Sequence, residues 1–97
     1  MYGWRARLGI LVPSRIVATE PELRLMTPEG VSCHYTRISF AGGGVANLSK
    51  VEAGVADATR LILDVKPAAM CMAGTGVSFV GGYGYDQMLI KRMKELN

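Results

Sequence analysis

Ala68-Ala69-Met70-Cys71-Met72-Ala73-Gly74-Thr75-Gly76-Val77-Ser78-Phe79 is an apolar run that breaks abruptly into small residues. The run reads as a strand, uninterrupted by polar residues and therefore central in a sheet. The glycines that follow deliver backbone N–H groups to the strand's carboxyl end, where ligands of open α/β sheets bind. Small residues there let an anion such as a carboxylate approach the main chain closely. No side chain within 72–79 is an obvious base or nucleophile.

Upstream, Leu8-Gly9-Ile10-Leu11-Val12 is a second short apolar run, ended by Pro13-Ser14, and suits a buried central strand. Thr19-Glu20-Pro21-Glu22 predicts a helix start, with Thr19 as cap, Glu22 closing the box and Pro21 in the first turn. Leu23, Leu25 and Met26 give that helix a short apolar face before Pro28-Glu29-Gly30 stops it. Residues 31–40 carry β-formers with imperfect alternation, which suits an edge strand. After the flexible Ala41-Gly42-Gly43-Gly44, a second box at Ser49-Lys50-Val51-Glu52 opens the longest helix. Val51, Val55, Ala58, Ile62 and Val65 recur at spacings of four and three, a stripe for packing on a sheet, until Lys66-Pro67. Residues 85–96 form a final helix with Leu89, Met93 and Leu96 on one face.

This βαβαβα order with short connections predicts an α/β three-layer sandwich on a short parallel sheet with right-handed crossovers. Residues 1–97 make one domain by size. Three strands make a thin sheet, and Asn97 follows a helix where another strand is expected, so a fragment or partner-dependent half is anticipated. Hydrophobic content of 49% with 20% charged residues excludes a disordered chain. The net charge of +3 is mild, and no basic stripe with interleaved aromatics supports a nucleic-acid surface. Lys91, Arg92 and Lys94 suit a helix C-terminus, where cations complement the dipole. No run reaches membrane-spanning length and no signal-peptide pattern opens the chain, so a cytoplasmic protein with reduced thiols is expected.

Several motifs fail on inspection. Gly74-x-Gly76 has Phe79 where a dinucleotide fingerprint needs its third glycine, and the phosphate-loop Gly-Lys-Ser/Thr ending is missing. Cys33 and Cys71 match no zinc or redox spacing, and His34 has no second metal-ligand candidate nearby, so no metal site is expected. Cys71 inside the apolar strand reads as a buried inert thiol. Asp86 and Glu95 read as helix-surface charges, and the six methionines as core filler. Ser14 and Ser78 are strand-end hydroxyls able to donate to a carboxylate, neither paired with a base.

Taken together, the segments 2–9, Val12-Pro13-Ser14, Glu20-Pro21-Glu22 and Pro28-Glu29-Gly30-Val31-Ser32 resemble the opening of maleate cis-trans isomerases. Residues 75–79, Gly84-Tyr85-Asp86 and Leu89-Ile90 resemble that family's next motif and helix. These enzymes belong to the aspartate/glutamate racemase superfamily, with the arylmalonate decarboxylases. The resemblance implies two similar α/β lobes with the active site between them, of which this chain corresponds to the first. It implies a small dicarboxylate substrate, no cofactor, and a homodimer or a missing second lobe to complete the cleft.

Two departures bear on chemistry. The family's isomerases and racemases usually place a cysteine where Gly74 stands; arylmalonate decarboxylases carry glycine there. Arg15-Ile16-Val17 also replaces the asparagine that isomerases tend to have after Pro-Ser-Ser. Covalent addition to an alkene needs a thiolate, which glycine lacks. The resemblance therefore implies a catalytic place for Gly74 and Thr75, and substrate contacts from Pro13, Ser14, Thr75, Gly76 and Ser78. Thr75 and the Gly76 N–H would steady charge developing on a carboxylate, Ser14 would hold the second carboxylate, and Gly74 would leave room. Arylmalonate decarboxylation and a non-catalytic carboxylate-binding or assembly module are the competing readings.

Overall fold

The computed structural model describes residues 2–39, 48–74 and 82–97; the side chains of residues 48 and 49 lie outside that description. Three parallel strands, β1 (Ala6–Pro13), β2 (Val31–Ile38) and β3 (Ala69–Met72), form a sheet in the order β2-β1-β3. The helices are α1 (Thr19–Met26), α2 (Leu48–Ile62, continued as a 3-10 turn over Leu63–Val65) and α3 (Tyr85–Leu96). The register pairs Leu11 with Thr36 on one side and Met72 on the other, so β1 is the strand bonded along both edges.

Alternation along the strands assigns the two faces. Leu11, Ile38, Met70 and Met72 point to one face, where the stripe Val51, Val55, Ala58 and Ile62 of α2 meets them with Leu89 and Met93 of α3. Leu11 and Val55 of that cluster are fully shielded from solvent, and Val12 and Ile10 are buried on the opposite face of the sheet. Burying such side chains stabilises by about 1.5–3 kcal/mol each. Gly9 admits the end of α2 to the sheet, because a Cβ there would lie 2.8 Å from Ile62 Cγ1. Lys66, at φ 52°, ends the 3-10 turn in the left-handed region before Pro67. The opposite face carries α1 over β2, completing three layers.

Three local expectations change, while the thiols are free as expected. The third strand is not central: among the described residues β3 is bonded only to β1, and an apolar run alone does not distinguish the middle of a sheet from its rim. Cys71 is consequently exposed, since it points to the face that α1 covers only near β2. Cys33 and Cys71 are both free, and with β1 between their strands they stand too far apart for a bridge. The Thr19–Glu22 box does not form: Ala18 occupies the cap position without a side-chain bond, Thr19 is already helical, and the Glu22 N–H donates to the Ala18 carbonyl at 3.1 Å.

The apolar face of α1 is also thinner than expected. Leu23 is half-buried, whereas Leu25 and Met26 are 88% and 75% exposed. The methionines divide accordingly: Met93 is buried and Met70 and Met72 pack on the core, but Met26 and Met88 face solvent. The box at Ser49 and the connection at 41–44 lie outside the described residues. Helix α3 falls where the periodicity predicts, with Lys91, Arg92 and Lys94 exposed toward its C-terminus.

Candidate functional site at the strand ends

Parallel strands bring their carboxyl ends to one rim. Pro13 closes β1, the Ser14 N–H donates to the Ile38 carbonyl at 2.8 Å, and the Ala73 N–H donates to the Leu11 carbonyl at 2.8 Å. Leu11 and Met72 are register partners, so Pro13-Ser14 and Ala73-Gly74 leave the sheet side by side. Pro13 is buried, Ser14 exposed and Gly74 half-buried. The structure thus gathers three of the expected site residues, Pro13, Ser14 and Gly74. Thr75, Gly76 and Ser78 lie outside the described residues.

One side chain at this rim escaped sequence reasoning. Arg37, the penultimate residue of β2, is the register partner of Val12. Its Nη1 donates to the Ile16 carbonyl at 2.7 Å and to the Pro13 carbonyl at 3.3 Å, while Nη2 pairs with Glu20 Oε1 in the first turn of α1. A charged residue close to the end of a strand that reads as half-apolar was the available signal. Its partners are distant in sequence, and only the parallel pairing of β1 with β2 brings them together.

Elsewhere the titratable groups have structural settings. Ser32 Oγ and His34 Nε2 lie 2.8 Å apart on β2, which gives His34 a hydrogen-bond partner at the amino half of the strand, away from the rim. Burial pushes the Tyr35 phenol up to about 12, and the adjacent Cys33 thiol and then the Glu20 carboxylate add to the rise. Tyr85, at the start of α3, is raised by burial and next by the charge of Glu52; its hydroxyl is buried with no hydrogen-bond partner among the described residues. Asp86 is half-buried in the first turn of α3 and Glu95 is exposed. Among the described residues no three His, Cys, Asp or Glu side chains group to hold a metal ion, and no helix is long and apolar enough to cross a membrane.

Two grooves run beside β2. One of about 1160 Å³ lies against α1 and the chain start, between Trp4, Arg24, Cys33 and Tyr35. Another of about 530 Å³ follows the strand past His34 and Thr36 to Leu61. Neither is lined by Pro13, Ser14 or Gly74.

No protein-family model matches the chain, and no curated protein matches it in sequence. A solved structure does match in shape. The maleate isomerase Iso from Pseudomonas putida S16 aligns with a TM-score of 0.77 at 20% sequence identity. The alignment covers 94% of this chain and 40% of that one, so this chain spans less than half the isomerase's length. What the likeness establishes is the architecture: a small α/β unit with a three-stranded parallel sheet and three helices, matching one lobe of a maleate-isomerase-like fold.

Nothing among the described rim residues supplies a thiolate or an imidazole.

Proposed function

We propose that this chain is the first lobe of a maleate-isomerase-like enzyme and binds a small dicarboxylate where β1 and β3 end. The observation that carries the reading is the fold likeness to a maleate isomerase, combined with the meeting of Pro13, Ser14 and Gly74 on one rim. Ser14 holds one carboxylate. Thr75, through its hydroxyl and N–H, and the Gly76 N–H receive the other. Gly74 stands where the family's first cysteine would attack, so this lobe stabilises charge instead of forming a covalent bond. Removing one such donor typically costs ~10²–10³ in rate.

Glycine at position 74 favours an arylmalonate-decarboxylase-like reaction, or proton transfer beside a carboxylate, over two-cysteine isomerisation. In this reading the acid or base comes from a second lobe or a second copy, and the chain by itself is close to inactive. The test is an assay of the full-length protein with maleate and a panel of malonates, beside Gly74→Cys. Gain of isomerase or racemase activity in the variant supports the placement of residue 74. A wild-type protein that binds neither maleate nor any malonate refutes the reading.

A further inference from the structure

We propose that Arg37 is the positioning residue of the turn between β1 and α1, setting where the backbone and hydroxyl of Ser14 stand at the ligand rim. The part that concerns ligand binding rests on the dicarboxylate reading above.

Residues 14–18 are all exposed, so apolar packing does not fix them. Among the described residues their backbone takes part in Ser14 N–H to the Ile38 carbonyl at 2.8 Å, Ile16 N–H to the Pro13 carbonyl at 3.0 Å, and Glu22 N–H to the Ala18 carbonyl at 3.1 Å. Arg37 spans both ends of the second of these. Its Nη1 reaches the carbonyls of Pro13 and Ile16, and its Nη2 meets Glu20, so one planar group ties strand end, turn and helix start together. The Pro13 carbonyl thereby accepts from both Ile16 and Arg37, which holds the residue before Ser14 from two directions.

Geometry specifies the residue type. A guanidinium offers five N–H donors in a rigid fork, and the contacts here use two separate nitrogens. A lysine ammonium is a single point at the end of a flexible stem and cannot occupy both places. Arg37 and Glu20 are 39% and 41% exposed, so solvent screens their attraction and the pair is a weak contributor to global stability. The clamp therefore acts on local order: the turn loosens without it while the sheet persists.

The experiment measures amide hydrogen exchange by NMR in the wild-type chain, Arg37→Ala and Arg37→Lys, with a malonate titration followed in the same spectra. Exchange at Ser14 and Ile16 should quicken by roughly tenfold or more in Arg37→Ala, the scale of losing a hydrogen bond to a charged group. The Ile10 and Leu11 amides, buried in the sheet, should keep their wild-type rates and show that the fold is intact. Arg37→Lys should resemble Arg37→Ala, and malonate should bind both variants more weakly than it binds wild type. Unchanged exchange at Ser14 and Ile16 in Arg37→Ala, or full protection restored by lysine, overturns the proposal. Equal malonate affinity in wild type and a loosened variant overturns the link between clamp and site. A wild-type spectrum indifferent to malonate defeats the dicarboxylate reading, while accelerated turn exchange in the variants would still support the clamp.

Discussion

Gly9→Ala tests the packing that seats α2 on the sheet. The added methyl would lie 2.8 Å from Ile62 Cγ1, and 3.3 and 3.4 Å from Cβ and Cγ of Pro67. Ordinary carbon–carbon contacts fall near ~3.5–4.0 Å, so the neighbours must retreat by up to about 1 Å. Neither retreats cheaply: Ile62 is 4% exposed and its Cγ1 lies mid-side-chain, while Pro67 is a ring fixed just after the left-handed Lys66. Overpacking of this kind costs about 1–3 kcal/mol. Alanine returns roughly 0.4–1 kcal/mol by restricting the unfolded chain. The net expectation is a loss of about 1–2 kcal/mol, read as a lower urea midpoint by far-UV circular dichroism with unchanged slope. For a chain of this size each kcal/mol lowers the melting temperature by about 4–8 °C. Ile62→Ala deletes the clashing atom and by itself costs about 2–5 kcal/mol through the cavity it leaves. Combined with Gly9→Ala, the new methyl enters that cavity, so the double variant should lose less than the two single losses together. Strict additivity, or a Gly9→Ala chain as stable as wild type, would refute the reasoning.

Two further outcomes follow from the phenols of Tyr85 and Tyr35. Tyr85→Phe removes a hydroxyl that is buried without a partner among the described residues, and should leave stability unchanged or raise it by up to about 1 kcal/mol; a clear loss in thermal unfolding would reveal an unseen acceptor. Tyr35 keeps its proton to about 12 in the folded chain against an ordinary 10.0, so between those values the unfolded chain binds fewer protons and stability falls as pH rises. Urea midpoints should therefore decline from pH 10 toward 12, with a shallower decline in Tyr35→Phe; identical slopes in the two proteins would contradict the shift.

Much of the architecture was legible because local pattern and burial agree. The β1 run from Leu8 to Val12 and the four-and-three stripe of α2 each report directly on a face that meets the core, and both appear as read. Position within the sheet was not legible for β3, whose unbroken apolar run would suit a middle strand equally well. Exposure of Cys71 follows from that same placement, because α1 covers that face only near β2. At the start of α1, Thr19 and Glu22 offered a plausible box, but Glu20 is drawn to Arg37, and the helix begins one residue earlier than a Thr19 cap requires. At the rim, Pro13, Ser14 and Gly74 could be anticipated from residues that interrupt apolar runs. Arg37 could not, because its three partners belong to a different part of the chain.

The strand order has a consequence for how the chain acquires its shape. The middle strand precedes both of its partners in the chain, and its edges are completed by segments that follow much later: Ala6 meets Val31, and Leu8 meets Ala69. Both strand pairs among the described residues are parallel, so no hairpin between these strands shelters Ile10, Leu11 and Val12 early. Closure of both crossovers must precede the pairing that rewards it, which slows assembly and leaves those three side chains uncovered in the interval. During translation, then, this apolar segment is made before either strand that pairs with it and stays unpaired until both have followed.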